Sequence, residues 1–224
     1  MAHNKVRQRA ARCIRLLEEQ YGIPRAEERD PVDLLVMTIL SQNTSDTNSL
    51  RAFARLKSAF SDYEQILAGA DEAVADSIRA GGLAEIKARR IREALFRIKG
   101  DAGAISLAFL ADMKKEQAMA YLLSLPGVGP KTASVVLLFA FSMPFLPVDT
   151  HVYRVCRRLG LVCESVAIEK AQSILEQVFP VEKYLSVHLN LITHGRRVCR
   201  ARNPGHEECA LRDYCDYYLH GQKP

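Results

Sequence analysis

The sequence predicts an all-α protein, and three observations carry that expectation. A strong helix start at Asp30-Pro31-Val32-Asp33 leads into residues 34–40, a run that is apolar on every side. Apolar residues recur at i, i+3, i+4 and i+7 in segment after segment, without the strict alternation of a half-buried strand. Finally, a tight glycine turn at residues 125–133 joins two helical stretches.

Taken in order along the chain, Asp30 is a capping residue, Pro31 suits the first helical position and Asp33 places an acid in the first turn. A helix apolar all round belongs in the middle of a bundle. Leu50, Phe53, Ala54 and Phe60 fall on or near one stripe, and the stretch with Ile86, Arg90 and Ile91 is helical in character; both are expected as surface helices around the core. Beyond the turn, residues 135–141 form a second apolar run. Val152, Val155, Cys156 and Leu159 keep helical spacing, as do Tyr184, Val187, His188 and Leu191, with Gly195 expected as a stop.

The chain has 224 residues, 48% of them hydrophobic, enough for a sizeable core. A net charge of +5 suits a polyanionic partner without singling one out. Its distribution says more: Lys87, Arg89, Arg90 and Arg92 crowd one stretch, and Arg196, Arg197, Arg200 and Arg202 another, although each run alone reads equally well as a solvated face. The charged start lacks a signal-like apolar stretch, and no segment approaches the roughly 20 apolar residues of a membrane span. The expected location is therefore cytoplasmic. Among six cysteines, Cys13, Cys156 and Cys163 are scattered among apolar residues, whereas Cys199, Cys209 and Cys215 share one short loop. Without a signal peptide, that group reads as metal or cluster ligation rather than disulfides.

The most informative segment is Leu125-Pro126-Gly127-Val128-Gly129-Pro130-Lys131-Thr132-Ala133. Its glycines permit positive φ and close backbone approach, and the helix that follows begins with exposed N–H groups that can seat a phosphate. Gly127, Val128 and Gly129 are thus candidate phosphate contacts. A generic helix–helix turn uses similar residues, but two glycines flanking one apolar residue before a helix start is a more demanding pattern.

With its surroundings this segment resembles the helix-hairpin-helix of the endonuclease III family of DNA glycosylases. The resemblance covers nearly the whole chain. Ile39-Leu40-Ser41-Gln42-Asn43-Thr44-Ser45-Asp46 is similar to the family's early loop, Gly82-Leu83 to its wedge loop, and Val148-Asp149-Thr150-His151-Val152-Tyr153-Arg154-Val155 to its catalytic Asp segment; His194-Gly195-Arg196 then leads into the cysteine loop. The resemblance implies two helical lobes with DNA across the cleft between them. One is a six-helix barrel with the hairpin, residues 24–134; the other is a cluster-bearing lobe from both termini, residues 1–23 and 135–224. It further implies a monomer acting on double-stranded DNA that carries a damaged base or an abasic site.

Excision of a base passes through an oxocarbenium-like sugar, and strand cleavage needs an amine to form an imine at C1′. Lys131, at the start of the hairpin's second helix, is the candidate amine; it attacks only when neutral, so its pocket must lower its pKa. By pattern alone Asp149 is a helix N-cap, while the resemblance makes it the carboxylate that stabilises the sugar cation. The resemblance implies that a lysine at position 131, rather than the serine or tyrosine of glycosylases that only remove bases, brings lyase chemistry with β-elimination. The extruded nucleotide leaves a gap; Gln42 and Asn43, in the early loop, and Leu83, as an apolar wedge, are the expected DNA contacts there. Oxidised pyrimidine is the default lesion. The alternatives are a mismatch or alkylated-base glycosylase, or a non-catalytic DNA-binding protein.

The family's loop carries C-x6-C-x2-C-x5-C around a 4Fe-4S cluster. Here the spacing is kept by Cys199, His206, Cys209 and Cys215, with His206 at the second cysteine position. A cluster with three Cys ligands and one His is expected; zinc on the same set is the alternative. Arg200 and Arg202 on that loop are candidate phosphate contacts.

Overall fold

The computed structural model describes residues 2–25 and 27–221. Among them it is all-helical, with twelve α-helices, short 3-10 turns and no strand. In chain order the helices are α1 Ala2–Tyr21, α2 Pro31–Leu40, α3 Asp46–Ala59, α4 Tyr63–Ala68, α5 Asp71–Ile78, α6 Ala84–Ala102, α7 Lys115–Ser124, α8 Pro130–Phe141, α9 Thr150–Arg158, α10 Ile168–Val178, α11 Tyr184–Arg197 and α12 Asp216–Leu219. None is long and apolar enough to cross a membrane among the described residues.

Two compact units divide the chain: Glu28–Met143, and Met1–Glu27 with Pro144–Pro224. Helix α8 runs unbroken through the boundary expected between residues 134 and 135 and lies in the first of these.

Within Glu28–Met143, α2 is the central helix. The Asp30 carboxylate accepts the N–H groups of Val32 and Asp33, both at 2.9 Å, and Pro31 sits in the first turn as its fixed φ favours. Leu35, Ile39 and Leu40 are fully buried as α2 packs on α3 and α8; each such side chain contributes about 1.5–3 kcal/mol. The stripe expected on α3 is corrected. Leu50 is 56% exposed, and the buried positions are Ser49, Ala52 and Leu56. Small side chains win that face because α5 and the turn at Arg79–Gly81 approach it closely: a Cβ on Gly81 would lie 3.2 Å from that of Ala52.

In the other unit α11 packs against α1 and α9. Both periodic stripes, Val152, Val155, Cys156 and Leu159 on α9 and Tyr184, Val187, His188 and Leu191 on α11, are buried as their spacing requires. Gly195 does not stop α11, which continues to Arg197. A Cβ at Gly195 would meet that of His151 at 3.0 Å, so the glycine serves the close approach of α11 to α9.

Candidate functional site

The hairpin is built by short-range constraints. Leu125 ends α7, the N–H of Val128 bonds to the carbonyl of Leu125 at 3.2 Å, and the Val128 side chain is buried. Gly127 adopts φ +76°, and a Cβ there would lie 2.6 Å from Cδ of Arg90. Only glycine meets both demands. Gly129 caps α8, and open space lies where its Cβ would be. The N–H groups of Gly127 and Gly129 take no partner among the described residues, whereas that of Val128 is consumed by the turn. Lys131 sits, half-buried, in the first turn of α8, which carries no acidic residue.

Gln42 ties the end of α2 to this hairpin. Its Nε2 donates to the carbonyl of Gly127 at 2.9 Å and reaches Thr132 Oγ1 at 3.5 Å, while its Oε1 accepts from Arg90 at 3.4 Å. In this structure both ends of the Gln42 amide are committed, one to the hairpin and the other to Arg90 of α6. The next residue, Asn43, is exposed and left-handed at φ 53°. Leu83 is left-handed too, at φ 52°, directly after Gly82 at φ 67°, and it is 50% exposed. An apolar residue held in a disfavoured conformation and presented to solvent carries a cost of about 1–2 kcal/mol, characteristic of functional positions.

The basic run on α6 separates into distinct roles. Lys87 is 1% exposed, and its ammonium donates to the carbonyl of Leu40 at 2.7 Å and of Gly81 at 2.9 Å. Burial lowers its pKa. It thereby pins together the end of α2, which leads into Gln42 and Asn43, and the turn that leads into Leu83. Arg90 lies along Gly127 and Gln42, and Arg92 reaches Asp71 and the Leu67 carbonyl. Only Arg89 of the four is an exposed residue. Charge and spacing gave no signal for a buried lysine; two carbonyl-rich loop starts flanking α6 are what it satisfies.

Asp149 caps α9 as its pattern alone predicts. Its Oδ1 accepts the N–H groups of His151 at 2.9 Å and Val152 at 2.8 Å, so Oδ2 stays outside the cap. One carboxylate can therefore hold the helix and still present an oxygen. Lys131 belongs to Glu28–Met143 and Asp149 to the other unit.

In the cysteine loop, Cys199 and Cys215 are buried and Cys209 half-buried, with no disulfide. Burial pushes the Cys209 thiol up to about 11, and the neighbouring Cys199 and Cys215 push it the same way. Burial also raises Cys215, again with Cys199 adding to it. Backbone N–H groups counter this: that of Leu211 bonds to the Cys209 sulfur, and those of Tyr217 and Tyr218 to that of Cys215. Three neighbouring thiols with amide donors on two of them suit iron–sulfur ligation.

The His206 ring packs edge-on to Tyr218, centroids 5.0 Å apart, and lies 6.0 Å from Tyr217. The imidazole beside the sulfurs is His194, whose Nε2 is 3.5 Å from Cys209 Sγ and whose Nδ1 pairs with Tyr21 Oη at 3.1 Å. Among the described residues, no three His, Cys, Asp or Glu side chains converge as ligands of a single ion. Arg154 donates to the Cys199 carbonyl, and Arg158 to those of Arg200 and Ala201, bracing the loop; Arg200 and Arg202 are exposed.

Residues 36–180 match the HhH-GPD superfamily of base excision DNA repair proteins. The chain is 34% identical to endonuclease III of Sulfolobus acidocaldarius over 214 residues, covering 91% of this chain and 93% of that relative. It is also 34% identical to endonuclease III of Thermotoga maritima, covering 86% and 85% respectively. A solved structure of a trapped endonuclease III–DNA covalent intermediate in an estranged-adenine complex matches with a TM-score of 0.81 and 28% identity, over 96% of this chain and 99% of that one.

Proposed function

This chain belongs to the endonuclease III family of base excision DNA repair proteins, and from that premise we propose how its residues divide the work. It is a DNA glycosylase with lyase activity, and DNA is its partner. The proposal begins where the family resemblance stops, at individual side chains and at the lesion.

Lys131 supplies the amine. Its neutral form attacks C1′ of the sugar, the base leaves, and the resulting imine allows β-elimination to break the strand. Asp149 stabilises the positive charge that develops on the sugar through the oxygen its helix cap does not use. The observation that carries this reading is the placement of Lys131 in the first turn of α8, directly after a hairpin whose Gly127 and Gly129 N–H groups stay available for phosphate. Asn43 and Leu83, both exposed and left-handed, fill the space vacated by the extruded nucleotide, and Gln42 holds the Asn43 loop to the hairpin. An oxidised pyrimidine in duplex DNA is the substrate and the protein acts as a monomer. Cys199, Cys209 and Cys215, with His206 as the fourth ligand, would hold a 4Fe-4S cluster, which would supply a structural tie for the loop bearing Arg200 and Arg202 rather than chemistry.

Borohydride trapping on duplexes each containing one lesion, mismatch or abasic site tests the assignment. Wild type is expected to give a covalent adduct, strongest with oxidised pyrimidines, and Lys131→Gln none. Base release without an adduct, or abasic cleavage by Lys131→Gln at the wild-type rate, overturns the role of Lys131. A strongest adduct on a mismatch overturns the lesion.

A further inference from the structure

We propose that Lys87 is a positioning residue for nucleotide extrusion: its ammonium holds the Asn43 loop and the Leu83 turn as one rigid pair, so that the two side chains enter the duplex together. The inference rests on the gap-filling role given above to Asn43 and Leu83, and assigns their alignment to a residue that is itself only 1% exposed. Lys87 grips the chain at three carbonyls. Its Nζ donates to Leu40 at 2.7 Å and to Gly81 at 2.9 Å, and its backbone N–H donates to Leu83 at 2.9 Å. One residue thus brackets Leu83, holding both the carbonyl of Leu83 and one just ahead of it. On the other side, Leu40 leads into Asn43 through a short stub that is itself fixed. The N–H of Ser41 bonds to the Met37 carbonyl at 3.0 Å and that of Gln42 to the Ile39 carbonyl at 3.2 Å; in the opposite turn the N–H of Gly82 bonds to the Arg79 carbonyl at 3.2 Å. Neither segment has slack between the ammonium and its exposed, left-handed residue.

The backbone is drawn in equally closely. A Cβ on Gly81 would lie 3.2 Å from that of Ala52 and 3.8 Å from the Leu40 carbonyl oxygen, so the turn is pressed onto α3 and the end of α2. Cohesion alone does not call for lysine here. No carboxylate lies against the ammonium among the described residues, and a buried charge without a counter-ion is costly. An apolar side chain would fill the same space without that cost, but it would leave the two carbonyls unbridged. What lysine adds is a link between two chain segments that are distant in sequence and that each end in a gap-filling side chain. A small displacement of either one misaligns it with the stack it must enter.

The test compares single-turnover excision from an oxidised-pyrimidine duplex with borohydride trapping on single-stranded abasic DNA, which has no stack to fill. Wild type, Leu83→Ala, Lys87→Met and the double variant are measured, with Lys99→Met, an exposed lysine of the same helix, as control. Lys87→Met is expected to lose about 10- to 100-fold in duplex excision and to trap single-stranded abasic DNA at the wild-type rate. A variant that is merely less stable loses both together. Since Leu83→Ala removes a side chain that Lys87 positions, the double variant is expected to fall no further than the weaker single variant. Lys99→Met is expected to match wild type on both substrates. A second cycle keeps the test open if Lys87→Met fails to fold: Asn43→Ala with Leu83→Ala is expected to retain at least about fivefold more duplex excision than the product of the two single losses. Equal losses on both substrates in Lys87→Met, duplex excision by it at the wild-type rate, multiplying losses in either cycle, or an equal defect in Lys99→Met overturns the proposal. If Leu83→Ala and Asn43→Ala spare duplex excision, or cost both substrates equally, the gap-filling reading itself fails and this inference with it.

Discussion

The hairpin at residues 125–130 and the cysteine loop at residues 199–215 interrupt the helices by opposite means. The hairpin is closed from within by one backbone bond, a positive φ at Gly127 and the amide of Gln42, all with neighbours in its own unit. The loop is braced from outside, by guanidinium groups of Arg154 and Arg158 on its carbonyls, while its own interior is a set of thiols whose charge burial opposes. A turn of the first kind is complete once the chain folds. The second kind leaves buried sulfurs at its centre, and the cluster proposed for them predicts that its order follows ligand occupancy.

Removing iron with a chelator is the strongest way to break this comparison. Amide exchange across residues 199–215 is expected to accelerate on the order of 100-fold, with residues 125–130 unchanged; equal acceleration would mean the two regions share one source of order. Next in size is Lys87→Met, which strips the donors from two buried carbonyls and is expected to lower stability by about 2–4 kcal/mol in urea denaturation. Its pH signature is diagnostic. Burial holds the Lys87 pKa below its unfolded value, so the folded protein binds fewer protons between the two. Stability therefore rises with pH across that window, and the variant loses that rise.

Gly127→Ala sharpens the hairpin side. A positive φ and a Cβ 2.6 Å from Arg90 predict a loss of about 1–3 kcal/mol and weaker duplex binding, with iron content unaltered. The smallest effect belongs to the loop. Arg202→Ala is expected to leave stability intact and to reduce the slope of log affinity against log salt by about 1; an unchanged slope returns Arg202 to the solvated surface.

What was legible in the sequence is what local rules govern. Asp30-Pro31 and Asp149 announce helix starts, and Gly127 announces a turn that no other residue tolerates. Lys87 and Arg90 were hidden because a charged residue on a helix reads as solvated until its distant acceptors, Leu40 at 47 and Gln42 at 48 positions away, are known. Gly195 carried the stop signal of a helix end and answered a different need, the approach of α9.

Leu83 carries an evolutionary consequence. Glycine or asparagine would occupy its left-handed conformation with less strain, and a polar residue would suit its exposure better. A search for heat-resistant variants is therefore expected to select against this leucine, whereas the wedge role proposed for it predicts that a search for repair selects for it. The position is one where thermal fitness and enzymatic fitness pull on the same codon in opposite directions.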